Sequence, residues 1–302
     1  MAPRNALIIA NPASNHGEAA RSIEVVSDLV EHLFPHRIVV TDGPEHATTL
    51  AEEAQGFDVV VAMGGDGTVH EVLQGLMRHP EDSRPALTVI PVGSGNDYAR
   101  TLGISRDVSK AVMQIASGKR RLVDVGVCNG RYFANTIAIG LDAQVTVKAV
   151  ELKQTTGRSG LYLYLSALMH VLFKDFRTYE VEMAFDGEEP SVVDMTLIVF
   201  SNGPTYGGGF HITPNAVGDD GLLDVCRIAA IPLWQALWRI PFVIPGKHEW
   251  MRPVFVSRHS KATLSAPSPV PAQIDGEVLL EDHYSIEILP SALPVLVPSP
   301  AS

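Results

Sequence analysis

The first 120 or so residues switch repeatedly between two hydrophobic periods. Leu7-Ile8-Ile9-Ala10 is a short unbroken apolar run, the pattern of a strand buried on both faces. Ala19, Ala20, Ile23, Val26, Val30 and Leu33 then recur at helical spacing. Ile38-Val39-Val40 predicts a second strand, His46 to Ala54 a second helix, and Val59-Val60-Val61-Ala62 a third strand. Val69, Val72, Leu73, Leu76 and Met77 line one face of an amphipathic helix. Leu87-Thr88-Val89-Ile90 predicts a fourth strand, and Val108 to Ala116 a further helix. Strands apolar on both faces and alternating with helices predict a parallel sheet covered by helices.

Past about residue 122 the pattern changes. Asn129-Gly130, Asp186-Gly187 and Asp275-Gly276 each separate two β-like runs, the dipeptides of tight hairpin turns. This half reads as mostly antiparallel β, with one helical insertion near Gly160–Phe173. The expected division is an α/β domain over 1–125 and a β-rich domain over 126–290. A short strand in 291–302, Leu293-Pro294-Val295-Leu296-Val297, is expected to return to the first domain.

Composition narrows the function classes. A chain of 302 residues, 46% hydrophobic and 19% charged, is globular and long enough for two domains. The longest strongly apolar stretch, Leu161 to Phe173, falls short of the ~20 residues that cross a bilayer. The apolar core near the N-terminus is too short for a signal peptide. Cys128 and Cys226 make neither a disulfide framework nor a CxxC pair, and are expected to be buried and inert. The eleven histidines show no HExxH. A soluble protein of the reducing cytoplasm is the expectation. The net charge of −11 argues against nucleic acid, whose phosphates need Lys and Arg. The charge is uneven, however. Arg227 to Lys261 holds six basic residues against one acid, Glu249, and all three tryptophans, Trp234, Trp238 and Trp250.

Three loops carry the candidate chemistry, each directly after a predicted strand: Asn11-Pro12-Ala13-Ser14-Asn15, Gly64-Gly65-Asp66-Gly67-Thr68, and Gly93-Ser94-Gly95-Asn96-Asp97. In a parallel sheet such loops share one edge, where ligands bind. Glycines let backbone N–H groups approach a phosphate, and the following helix turns its positive end toward it. Asp66 would repel a phosphate unless Mg²⁺ lay between them; a tight turn with Asp66 capping a helix reads the same way. No GxxxxGK[ST] or GxGxxG is present. Taken alone, Asp275 reads more readily as a turn residue than as a base.

The NPxS, GGDGT and GSGNDxAR motifs at Asn11–Ser14, Gly64–Thr68 and Gly93–Arg100 together resemble the diacylglycerol kinase catalytic-domain family, which is related to sphingosine and ceramide kinases. Gly207-Gly208-Gly209, Asp220-Gly221-Leu222-Leu223-Asp224-Val225 and Asp275-Gly276-Glu277 continue the resemblance in family order. It implies a Rossmann-like parallel sheet in the first domain, an antiparallel β-sandwich in the second, and an active site in the interdomain cleft. It implies ATP at Asn11, Ser14, Asn15, Thr41, Gly64, Gly65, Gly67, Thr68, Glu71, Gly93, Ser94, Gly95 and Asn96. Asn15, where the family usually has glycine, is expected to keep the turn. The resemblance places a catalytic Mg²⁺ at Asp66, Asp97 and Asp124, reached through waters. Asp275 would be the general base on a lipid hydroxyl, with Glu277 beside it. Asp220, with backbone carbonyls near Val217 and Leu222, would hold a second, structural Mg²⁺.

The activity implied is γ-phosphoryl transfer from ATP to a membrane lipid, diacylglycerol by default. The tryptophan-rich basic segment would touch the membrane surface. A homodimer through an exposed sheet edge is a further expectation. The rivals are an NAD kinase, which shares GGDGT, and a non-catalytic nucleotide or lipid sensor.

Overall fold

The computed structural model describes residues 5–14, 19–156 and 160–299. The chain divides into two compact units, 1–124 with 291–302, and 125–290.

Unit 1 is built where the apolar runs are unbroken. Strands β1 (Ala6–Ala10), β3 (Val59–Gly64) and β4 (Ala86–Pro91) are buried at every position. Their two faces can both be apolar because the strands lie in a parallel sheet with helices packed on it. β1 pairs in parallel with β2 (His36–Val40) on one side and β3 on the other, and β3 pairs in parallel with β4. Beyond β4 lies the end of the last strand, β13 (Glu277–Val297), parallel to it with Val295 opposite Leu87. The expected terminal strand at 293–297 is therefore present. Arg84 anchors this return by donating to the carbonyl of Ala292. Helices α1 (Ala19–Val30), α2 (His46–Glu52), α3 (Asp66–Leu76), α4 (Asp97–Thr101) and α5 (Val108–Ser117) fill the connections.

Register decides where the loops go. Ala10 stands opposite Val40 and Met63, and Gly64 opposite Pro91, so the C-terminal ends of four strands are level. The backbone continues the ladder one step further. Thr41 N–H donates to Ala10 O at 2.9 Å, Asn11 N–H to Met63 O at 2.9 Å, and Val92 N–H to Gly64 O at 3.1 Å.

Unit 2 contains β5 from Val125 onward (strand Lys119–Cys128), β6 (Arg131–Phe133), β7 (Thr136–Gly140), β8 (Tyr179–Phe185), β9 (Ser191–Ser201), β10 (Leu223–Ala229), β11 (Val254–His259) and β12 (Lys261–Ile274). Their pairings are antiparallel. The three turn dipeptides close hairpins as expected, with left-handed φ of 48° at Asn129, 49° at Asp186 and 47° at Asp275. Alternate residues of β7, β9 and β10 serve two cores. Ile137, Ile139, Ile198, Phe200 and Val225 pack among strands. Ala138, Leu197, Val199, Cys226 and Ile228 pack under helices.

The expectation of one helical insertion is corrected to three helices among the described residues: α6 (Leu141–Thr156), α7 (Gly160–Lys174) and α8 (Leu233–Val243). α6 was missed because half-exposed Val147 and Val150 blur its apolar stripe. α8 carries Pro241 inside it, which hides a helix from the sequence pattern. Both cysteines are buried, and burial pushes each thiol up to about 12, so they are inert as expected.

Candidate active site

The strand-end loops of unit 1 meet. The amide of Asn11 donates to Thr68 Oγ1 at 3.1 Å, tying the loop after β1 to the loop after β3. Asn11 Oδ1 accepts the Ala13 N–H at 3.0 Å, and the Ser14 N–H donates to Asn11 O at 3.3 Å, which closes that loop. Asn15 lies outside the described residues. A side chain at Gly93 would collide with the Gly65 backbone, and one at Gly64 with Thr68. The loops after β3 and β4 therefore touch backbone to backbone, which only glycine permits. Gly67 and Ser94 stand exposed at the two loop tips.

Asn96, at φ 56°, folds its side chain back onto Gly93. Its Oδ1 accepts Gly93 N–H at 3.1 Å, and its Nδ2 donates to Gly93 O at 2.6 Å. That turn delivers Asp97 to the start of α4. Asp66 Oδ1 accepts the N–H groups of Asp97 (2.7 Å) and Tyr98 (3.3 Å), so Asp66 caps α4 from a different loop. The two carboxylates flank Gly95. A Cβ built there would lie 2.6 Å from Asp66 Oδ2 and 3.7 Å from Asp97 Oδ2. Oxygen donors facing a space that any side chain would fill suit a hard cation such as Mg²⁺ with its waters.

Positive charge stands beside them. Arg100 pairs with Asp97. Arg100 Nη2 and Arg106 Nη2 donate to Gly95 O at 3.4 Å and 2.8 Å. Arg106 was not singled out from the sequence, because its contact depends on the loop's path.

Other expected residues make contacts within the fold. Thr41 is buried at the end of β2, held by its backbone. Glu71 Oε2 accepts the Ala47 N–H at 3.2 Å, and its carbonyl accepts Thr48 Oγ1. It thereby serves the start of α2, whose preceding residue Glu45 gives no side-chain cap. Asp124 is buried in β5, and its Oδ1 accepts the Ser291 N–H at 2.7 Å. Among the described residues no three acidic, histidine or cysteine side chains gather as a metal site, so Asp66, Asp97 and Asp124 do not form one direct cluster.

The second expected metal set lies in unit 2. Asp220 Oδ1 accepts the Leu222 N–H at 3.1 Å, and Asp224 accepts the Val217 N–H. Arg258 pairs with Asp220 and approaches Asp224 at 3.7 Å. Val217 and Leu222 contact the acids through their N–H groups, and the Arg258 guanidinium supplies counter-charge.

Asp275, at the β12–β13 turn, is anchored by three backbone donors. Ala134 N–H reaches Oδ2 at 2.7 Å, while Asn135 and Thr136 N–H reach Oδ1 at 3.0 and 2.9 Å. Glu277 is exposed. Next to this turn the structure shows a carboxyl that the sequence did not flag. Gln273 Oε1 accepts the Gly276 N–H at 2.7 Å, and Gln273 Nε2 donates to Asp142 Oδ2 at 3.1 Å. Asp142 Oδ1 accepts the hydroxyls of Tyr164 (2.6 Å) and Tyr206 (3.0 Å). Asp142 sits in the wall of an apolar cavity under α6, α7 and α8, lined also by Leu168, Phe210, Ile240 and Val243. Burial raises its pKa, partly opposed by the three donors.

A carboxyl with a raised folded-state pKa stabilises the fold fully below its unfolded value and loses that contribution as pH rises through the folded value. Asp142→Asn should remove that limb from a stability–pH curve. It should also cost roughly 1–3 kcal/mol, because its amide would face the Gln273 donor. Chemical denaturation across pH reads both effects.

The chain matches the Diacylglycerol kinase catalytic domain over residues 5–128 and the YegS C-terminal NAD kinase beta sandwich-like domain over 135–297. It is 30% identical to a diacylglycerol kinase of Mycobacterium tuberculosis, over 96% of this chain and 94% of that one. It is 31% identical to a diacylglycerol kinase of Bacillus subtilis, over 77% and 78%. A solved structure of a candidate diacylglycerol kinase from Bacillus anthracis superposes with a TM-score of 0.83 at 27% identity, covering 99% of each chain.

Proposed function

This chain belongs to the diacylglycerol kinase family, and from that premise we propose that it transfers the γ-phosphoryl group of ATP to the hydroxyl of a membrane lipid, diacylglycerol first. The observation that carries the reading is the convergence in unit 1 of glycine loops on Asp66 and Asp97. Backbone N–H groups of Gly64–Thr68 at the start of α3 face the phosphates. Arg100 and Arg106 supply fixed positive charge where no Walker lysine exists. Asp66 and Asp97 would hold Mg²⁺, which when bound neutralises charge on the phosphates. Asp275 takes the hydroxyl proton as the acceptor oxygen bonds to phosphorus and ADP leaves. Its three backbone donors keep the carboxylate in one orientation, as a positioned base requires. The apolar cavity of unit 2 supports an acceptor with hydrocarbon tails.

The test is incubation with γ-labelled ATP and Mg²⁺ in three arms: diacylglycerol micelles, a total lipid extract, and NAD. Label should appear in a phosphatidic-acid-type product. Label on NAD alone would make the protein an NAD kinase. ATP binding with no labelled product in any arm would make it a sensor and end the kinase reading.

A further inference from the structure

Helix α8 is apolar on both sides. Ala236 is buried, and Leu233, Leu237, Ile240 and Val243 pack on the helical core of unit 2. Trp234, Trp238 and Phe242 follow one another at four-residue spacing on the outer side, and remain 65%, 43% and 38% exposed. Trp250, 72% exposed, joins them from the following turn. Trp238 meets Phe242 edge-on at 6.2 Å, and Phe242 meets Trp250 edge-on at 6.4 Å. The Trp250 indole N–H donates to Lys247 O at 2.9 Å, which holds the ring in place. Large aromatic side chains held in a contiguous exposed patch mark an interaction surface.

Charge identifies the occupant. Arg239 lies over the Trp238 ring at 4.2 Å, and Lys247 and Arg252 are exposed beside the patch. The segment's one acid, Glu249, accepts from Asn215 Nδ2 at 3.4 and 3.5 Å. A chain of net charge −11 is repelled by an anionic surface everywhere except where cations are concentrated. No described helix is long and apolar enough to cross a membrane. Tryptophan rings with flanking cations on a short helix fit the headgroup layer of a bilayer.

We propose that α8 and the Lys247–Arg252 turn dock flat on an anionic phospholipid bilayer through Trp234, Trp238, Phe242 and Trp250. The inner residues Ala236, Ile240 and Val243 of this helix also line the Asp142 cavity. Docking therefore makes α8 the wall separating bilayer from cavity. That consequence, not the docking itself, rests on the lipid-kinase reading.

All three tryptophans lie in the patch, so selectively excited tryptophan fluorescence reports it alone. The full chain is mixed with phosphatidylcholine vesicles with and without phosphatidylglycerol, and with brominated lipid. Co-sedimentation and a blue shift should appear with the anionic vesicles, and bromine should quench the tryptophans. Trp234→Ser with Trp250→Ser should weaken sedimentation about tenfold, and Lys247→Gln with Arg252→Gln should remove the anionic preference. Circular dichroism confirms folding, and phosphorylation of a monomeric short-chain acceptor should stay within about twofold. Unchanged sedimentation of the tryptophan variant, or its conversion from dimer to monomer without lipid, would overturn the docking. Docking in a protein that phosphorylates no lipid would overturn only the kinase reading.

Discussion

Asp66→Asn should lower turnover by about a hundred- to a thousand-fold while the fold survives, the scale of losing one preorganised charge-stabilising group. Asparagine keeps an oxygen where Asp66 Oδ1 accepts the Asp97 and Tyr98 N–H groups. What it loses is the negative charge facing Gly95 beside Asp97. Asp66→Ala removes the acceptor as well. It should give the same turnover loss and cost about 1 kcal/mol more in stability, the usual size of a lost helix cap. Thermal melting compared with single-turnover kinetics separates the two effects. If Asp66 were only a cap, the asparagine variant would keep turnover within a few-fold of the parent, and the cation-holding role would be lost.

The role of Asp66 also shows what the sequence made legible. A strand buried on both faces must be an unbroken apolar run, so β1, β3 and β4 could be placed from hydrophobicity alone. Turns that need a left-handed residue before a glycine declare themselves as Asn-Gly or Asp-Gly. The three loops could be brought to one edge because parallel register levels the strand ends. Contacts between distant segments leave no periodic trace. Asp142 is one acid in an apolar stretch, and its meaning comes from Tyr164, Tyr206 and Gln273, none of them near it in sequence. That the Glu71 side chain reaches the α2 N–H group of Ala47 is likewise invisible in the order of residues. Arg258 reaches the acids of unit 2 because the β10–β11 pairing sets it opposite Asp224.

Asp275→Asn tests the other half of the chemistry, and here stability and catalysis must be disentangled. The native carboxylate accepts from Ala134, Asn135 and Thr136, with both oxygens engaged. An asparagine turned either way sets an NH₂ against at least one backbone N–H, at a cost of roughly 1–3 kcal/mol. If the carboxylate is also the base, turnover on diacylglycerol should fall by about a hundred- to ten-thousand-fold. ATP affinity, carried by residues of unit 1, should hold. Gly276→Ala provides the contrast. Gly276 has φ 99°, so alanine strains the same turn without touching the carboxylate. It should lower the melting temperature while turnover of the folded protein changes by only a few-fold. Glu277→Gln, at an exposed position, should stay within about tenfold. Equal turnover losses in the Asp275 and Gly276 variants would reduce Asp275 to a turn residue, and the proton would have to leave the hydroxyl by another route.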